Sequence, residues 1–549
     1  MQTLPEDDPL GIAYRLRDDQ LVMSSHLGTS ALEEAKKKAI ESDINQALKE
    51  TKAFWTEYWK ETPLVSLPDP KIQELFDYGL YKQACVTPPH GVASGLQGPF
   101  LEEYQLPPWS ADYHFNVNIQ MIYWPTLATN HTEHLMPIWE LIQRWMPKMK
   151  ETGEKFFAQE GAIMMPHAVD DRMQVVGSFW TGTIDHACAA WMAQLAWLHY
   201  RYSMDEEMLQ MVAWPLLNGA FEGFWAMTEE ITDNNGSRFT LPITVSPEFK
   251  GSRMDAWGAD ASFQLAAYHM VAELLQKAAI VLELPSDPRW QEVLDKLPPY
   301  TLFEGPRTLE YPENKTQRIA LWYGMDLIQS HRHHSHLASI YPFVTIDPEN
   351  PQHQKIVDHS LWHLTYQGAG GWSGWCVPWA ATLFARNDNS DAAVAWLHYF
   401  KDHYTNEGRG TLHDAWHQGM SYIADYPWAK STDRPNGEVM QLDGGFGALS
   451  ATLEILVQNR RDGIHLLPDI PVGWNSFSFD KIGTEGAFQV GASVESGQIV
   501  EVRIKSLVGG SIKLWHGLGD KYEINGKIQE GELLEYDFEK GQDLTLRSI

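Results

Sequence analysis

The sequence predicts a mainly α-helical protein, an (α/α)6 barrel followed by a small C-terminal β-sandwich. From about residue 70 to 460, apolar residues recur at helical spacing in long stretches separated by loops rich in Gly, Pro, Asn and His. Those residues, at some 33 per helix and loop, hold roughly twelve helices, the number in such a barrel. After residue 460 the period becomes that of strands. A solenoid of helical pairs has the same count, but no fixed-period self-similarity runs along the chain.

The elements follow in order. Residues 1–30 mix turn residues with short apolar runs and carry no basic segment followed by an apolar one, so no signal peptide is expected in them. ALEEAKKKAIESDINQALKETKAFWTEYWKE (31–61) is one helical stretch, and Pro63, Pro68 and Pro70 mark an extended linker before an amphipathic helix that starts near Asp69. Helices are then expected over 135–157, 186–203, 207–231, 261–282, 374–387 and 447–459. FQVGASV, QIVEVRIKSL, SIKLWHG and LLEYDF read as strands, with a hairpin turn at Asn525-Gly526. The expected organisation is an N-terminal segment and linker helix (1–60), a helical barrel (61–460) and a β-domain (461–549).

Lys and Arg number 42 against 72 Asp and Glu, a formal charge of −30. That balance argues against a nucleic-acid backbone or an anionic membrane surface as partner and leaves a neutral substrate. Apolar stretches stop short of the roughly 18 residues a membrane span needs, so no insertion is expected. Cys85, Cys188 and Cys376 form no CxxC pair, so neither a disulfide framework nor a zinc ribbon is written here. The 23 Trp, 21 Tyr and 21 Phe suit a core, and they also suit stacking on the apolar faces of sugar rings. Compartment and oligomeric state are left open by these features.

Polar residues that interrupt the helical pattern cluster in four loops, where function concentrates. In PPWSADYHFNVNIQMIYWP (107–125), Asp112, His114, Asn116, Asn118 and Gln120 alternate with Tyr113, Phe115, Val117 and Ile119. Period-2 alternation places the polar set on one side of an extended segment, although a solvated loop or helix caps explain the same residues. In LPITVSPEFKG, Glu248 follows a proline among apolar and small residues. A carboxyl in an apolar cleft has its pKa raised and serves as a general acid near neutral pH, while an N-cap or surface charge is the plainer explanation. In HRHHSHLASIYPF, His331, Arg332, His333, His334 and His336 suit hydrogen bonding to substrate hydroxyls or a buried structural network. Zinc ligands more usually come as His pairs on a helix face with an acidic partner, so no metal is expected. In GEVMQLDGGFGALSATLEIL, Asp443 precedes a Gly-Gly turn that opens a helix, a good place for a capping carboxylate. No Lys-Ser/Thr follows those glycines, which excludes a P-loop and leaves no cofactor in view.

Together and in this order, GLQGPF (95–100), PPWSADYHFNVNIQMIYWP, SPE (246–248), HRHHSHL (331–337), GGWSGWCVPWAATLFAR (370–386) and QLDGGFG (441–447) resemble the landmarks of glycoside hydrolase family 95, the inverting 1,2-α-L-fucosidases and their α-L-galactosidase relatives. The resemblance implies an (α/α)6 barrel followed by a β-sandwich, preceded by a large N-terminal β-domain for which this sequence has few residues. It implies an exo-glycosidase acting on an oligosaccharide or polysaccharide, with no cofactor. Glu248 is then the acid that protonates the glycosidic oxygen. The base is an asparagine amide polarised by an aspartate, mapped to Asn116 and Asp443 with Asn118 beside them. His114, Arg332, His333 and His336 are implied to bind sugar hydroxyls, and Trp109, Trp124 and Trp372 to wall the pocket.

Three positions depart from the family pattern: Phe249 where SPEN is usual, Gly445 where DGNFG is usual, and Ile122 where an Asn often precedes Tyr-Trp-Pro. They imply a reshaped pocket. A phosphorylase, in which phosphate replaces water, and a non-catalytic carbohydrate-binding protein are the alternatives on the same scaffold.

Overall fold

The computed structural model describes residues 8–17, 19–99, 107–177, 179–233, 236–346, 350–415 and 439–549, and Phe100 of the GLQGPF motif lies outside them. The chain divides into two compact units, Met1–Thr62 and Pro63–Ile549. In the first, strands Leu10–Arg17 and Gln20–Leu27 form an antiparallel hairpin, followed by helices Ala31–Glu41 and Ile44–Glu61. The single helix expected over 31–61 is interrupted at Ser42-Asp43. Asp43 leaves the helical region and caps the second helix, accepting from Asn45 N at 2.7 Å and Gln46 N at 3.1 Å.

The second unit is mainly helical with a C-terminal β-rich region. Its helices of nine or more residues are Pro70–Val86, Met136–Phe157, Ala187–Ser203, Trp214–Met227, Ser262–Val281, Pro288–Lys296, Pro351–Gln367, Cys376–Arg386, Ser390–His403 and Asp443–Leu456. These ten among the described residues fall short of the roughly twelve expected from helix and loop lengths. Two hairpins take up part of the difference, Glu229–Asp233 with Gly236–Thr240 and Leu302–Thr308 with Tyr311–Ile319. Accordingly, the helix expected to reach Ile231 ends at Met227, and the one expected to reach Asn459 ends at Leu456. In both places the chain turns extended where a partner strand accepts its backbone groups, and pairing overrides the helical period.

Burial explains which helices are central. Met136–Phe157 buries Ile138, Leu141, Ile142, Trp145 and Met149 along one face. Ala187–Ser203 and Ser262–Val281 are buried nearly all round and rich in alanine, so neighbours approach from every side. The β-rich region holds a four-stranded sheet and a seven-stranded one. It begins at Val457, earlier than the expected residue 461. The expected linker around Leu64–Ser66 is the edge strand of the larger sheet, antiparallel to residues 478–480. Asn525 and Gly526 both have positive φ, 52° and 77°, as a two-residue hairpin turn demands. Among the described residues no helix is long and apolar enough to cross a membrane.

Asp69 ends the linker and caps Pro70–Val86, its Oδ1 accepting from Lys71 N at 3.0 Å and Ile72 N at 3.2 Å. Asp69→Ala is expected to lower stability by about 1 kcal/mol in denaturant melts; an unchanged midpoint would contradict the cap's role.

Candidate active site

Glu248 sits in the turn of Ser246–Gly251 with φ at +57°, a left-handed conformation uncommon for a residue with a side chain. Its carboxylate is buried and surrounded by donors. Arg332 Nε donates to Oε2 at 2.7 Å and the second guanidinium nitrogen reaches the same oxygen. His333 Nε2 lies 3.2 Å away, and Asn116 Nδ2 donates to Oε1 at 3.1 Å. Burial acts to raise the Glu248 carboxyl, but Arg332 and His333 outweigh it and hold the group well below the usual carboxylate range. This overturns the expectation of an apolar cleft with a raised pKa. The resting Glu248 is ionised.

The 331–336 segment is locked against this turn and against the start of Cys376–Arg386. His331 Nε2 donates to Pro247 O at 3.0 Å, Cys376 Sγ donates to Arg332 O at 2.7 Å, and His334 Nε2 donates to Cys376 O at 3.0 Å. Burial pushes the Cys376 thiol up to about 12 and His331 and His334 down to about 3, so all three are neutral donors.

The second carboxylate, Asp443, opens helix Asp443–Leu456 and is 1% exposed. Its Oδ1 accepts from Gly444 N at 2.6 Å, and its Oδ2 accepts from the Asn118 amide. Burial raises it to about 6, against the lowering effect of Asn118, the Gly444 N–H, His413 and His114. The expected pairing is thereby corrected: Asp443 accepts from Asn118, while Asn116 donates to Glu248. The alternation behind both holds from Asp112 to Asn116, where Tyr113 and His114 pair with Val169 and Ala168 and Phe115 N donates to His167 O at 2.6 Å. At Asn118 a helix begins, and Gln120 turns back to Phe115 O at 2.6 Å instead of joining the polar row.

Other expected residues divide. His114 is held by Asp112 and stands beside His167, with ring centroids 5.5 Å apart. Trp109 is half-buried and packs on His413 at 4.8 Å, close to the Asp443 side. Trp124 is a correction: it packs between Trp191 and Tyr341 and lines a separate 690 Å³ cavity with Arg201, Arg386 and Glu454. Trp372, 1% exposed, packs between His334 and Trp396, behind the histidine row. His336 is buried among His334, His331 and His363 and forms no part of the Glu248 cluster. Three neighbours escaped the sequence reading. His167 packs over Gly182, where a Cβ would lie 1.2 Å from its Nδ1; His413 pairs with Asp414 at 2.7 Å; and Trp375 meets the His333 ring at 4.6 Å. The three departures pack into their surroundings. Phe249 packs on Trp322 and His331, Ile122 is fully buried, and Gly445 lies against Thr411 and Lys82.

Two buried carboxylates bridged by amides two positions apart, beside an arginine and several histidines, form a site for polar ligands. A model of the glycosyl hydrolase family 95 catalytic domain matches residues 32–456. The chain belongs to glycosyl hydrolase family 95. It is 27% identical over 451 residues to Alpha-L-fucosidase 2 of Arabidopsis thaliana, an alignment covering 79% of this chain and 49% of that protein. It is 24% identical to Probable alpha-fucosidase A of Aspergillus niger, over 79% and 53%. It is also 23% identical to Kojibiose hydrolase of Mucilaginibacter mallensis, over 79% and 57%. The chain spans about half the length of these curated relatives. A solved structure titled as a putative kojibiose phosphorylase from human microbiome shares the fold of this family 95 chain, with TM-score 0.63 over 98% of this chain and 79% of that one at 11% identity.

The raised Asp443 fixes a sign. The folded chain keeps a proton that the unfolded chain releases between about pH 4 and 6, so the contribution of this group to stability is present below that window and lost as pH rises through it. Relative to Asp443→Asn, whose side chain does not titrate, the parent is therefore expected to lose about 2–3 kcal/mol of stability between pH 4 and pH 7.5. Urea melts at pH 7.5 and pH 4 check this; equal shifts at both would contradict it.

Proposed function

We propose that this chain is an inverting exo-glycosidase that hydrolyses terminal α-L-fucosyl or α-L-galactosyl residues of glycans, its helices forming an (α/α)6 barrel. The observation that carries the reading is the double bridge of Asn116 to Glu248 and Asn118 to Asp443. It ties one carboxylate to each end of a three-residue segment. The fucosidase names among the relatives support the sugar class.

In this reading Glu248 gives its proton to the glycosidic oxygen as the bond to the anomeric carbon breaks. A water on the opposite face attacks, its proton accepted by Asn118 Oδ1 while the amide passes an N–H proton to Asp443. An amide is a feeble base in water, and the buried aspartate is what pulls electron density toward its oxygen. Glu248 must first gain a proton. Sugar hydroxyls draw the Arg332 guanidinium off the carboxylate, burial then dominates, and its pKa rises. Asn116 Oδ1, buried and without a partner, accepts a further hydroxyl. His114 and His333 bind the same ring, and Trp109 offers its face.

Glu248→Gln is expected to lose about 10²–10⁴-fold in rate on an unactivated glycoside, yet keep most of its rate on α-L-fucosyl fluoride, whose leaving group needs no proton. Asn118→Ala is expected to lose both. Equal losses for Glu248→Gln on the two substrates would remove the acid assignment. The rate of the parent is expected to rise with pH through about 6 as Asp443 ionises. Phosphorolysis is the second reading, favoured by the fold shared with the putative kojibiose phosphorylase. It requires a rate strictly dependent on inorganic phosphate and a sugar 1-phosphate product.

A further inference from the structure

Outside the carboxylate site, HTEHL (131–135) pairs two histidines with a glutamate, the combination the 331–336 segment lacks. Residues Thr132–Leu135 form a single 3-10 turn, in which positions three apart eclipse, so His131 and His134 come to one side. The backbone holds them there: His131 N donates to Thr126 O at 2.9 Å and His134 N to His131 O at 3.0 Å. Both rings are buried, their centroids 5.2 Å apart and their planes tilted by 55°. The half-exposed Glu133 turns its carboxylate to both, with Oε1 3.2 Å from His131 Nδ1 and 3.8 Å from His134 Nε2.

Thr87, at the end of helix Pro70–Val86, fixes the tautomer of His134. Its hydroxyl proton goes to Gln83 O at 2.8 Å, so Oγ1 accepts from His134 Nδ1–H at 3.1 Å. Burial and His131 bring His134 down to about 4, so the ring is neutral and its Nε2 carries a lone pair. Across the 3.8 Å gap, Nε2 and Glu133 Oε1 are then both acceptors, with no hydrogen bond to gain and room for a cation to bridge them. A ring nitrogen oriented by a hydrogen bond at the other nitrogen is how metal-binding histidines are held. Ligand atoms at about 2.0–2.2 Å from a tetrahedral zinc lie about 3.3 Å apart. These three lie within 4.8 Å of one another, two of the spacings being 3.2 and 3.8 Å.

We propose that His131 Nδ1, His134 Nε2 and a Glu133 carboxylate oxygen bind a divalent cation of the zinc class, with water from the exposed side as a further ligand. Two nitrogens and one carboxylate suit zinc over magnesium or calcium, which take oxygen ligands. In the bound state the His131 proton sits on Nε2, and the ring stays neutral. The ion ties the turn between Pro125–Ala128 and Met136–Phe157 to the end of Pro70–Val86 through Thr87. Its role is structural and independent of the reaction assigned to the carboxylates.

The test is isothermal titration of the chelator-treated, desalted protein with zinc chloride at pH 7.5, followed by a second desalting and measurement of the zinc retained. The parent is expected to bind and retain one zinc per chain at this site. Glu133→Gln is expected to bind it about tenfold or more weakly, since loss of a residue that merely orients a ligand already costs about 10–100-fold. No stoichiometric zinc in the parent, or equal affinity in Glu133→Gln, overturns the proposal. Should Glu133→Gln fail to fold, zinc-soaked crystals of the parent decide. An anomalous peak about 2.0–2.2 Å from His131 Nδ1 and His134 Nε2 supports the site, and no peak there at saturating zinc overturns it.

Discussion

The ion pair of Arg332 with Glu248 is the interaction on which the site depends. A carboxylate buried to this degree must be paired, and removing one partner of such a pair is strongly destabilising, by about 3–5 kcal/mol. Pairing with Arg332 therefore fixes the segment 331–336 on the turn of Ser246–Gly251, and the neutral donors His331, His334 and Cys376 complete the lock. The left-handed φ of Glu248 persists because this surrounding network over-determines it.

Asp443 shows the opposite arrangement. It is more deeply buried than Glu248 and receives an amide, a backbone N–H and the field of His413 and His114 but no guanidinium, so its pKa is raised where that of Glu248 is lowered. Two carboxylates with environments that push their pKa values apart are the mark of divided acid and base work. In the resting site the order is the reverse of the working one: the proposed acid is ionised and the partner of the proposed base is the weaker acid. A substrate that takes Arg332 from Glu248 corrects the first half, and operation above pH 6 corrects the second.

Much of this was legible in the sequence. The cap at Asp69, the amphipathic helix Met136–Phe157 and the switch to strands near residue 460 all follow from spacing and turn chemistry. The hairpins at 229–240 and 302–319 did not, because their strands carry charged residues and the pairing partner is a property of the fold. Within the site, Glu248, Asp443 and both asparagines stood out by their motifs, but spacing alone cannot say which amide meets which carboxylate. Residue type likewise cannot separate a wall of this site from a ring placed elsewhere: Trp124 lines a different cavity and Trp372 is core, whereas Trp375 meets the histidine beside Glu248. His167 and His413 sit in no pattern, and only the fold brings them near the carboxylates.

The central claim is that water attacks from the Asn118–Asp443 side, opposite Glu248. Proton NMR of the sugar released from 2′-fucosyllactose, and from an α-L-galactoside, followed from the first minutes, tests it most directly. Inversion gives the β-anomer first, with the α-anomer growing in only by mutarotation. The α-anomer appearing first would mean retention, and would contradict the assignment of Asn118 and Asp443 to an attacking water.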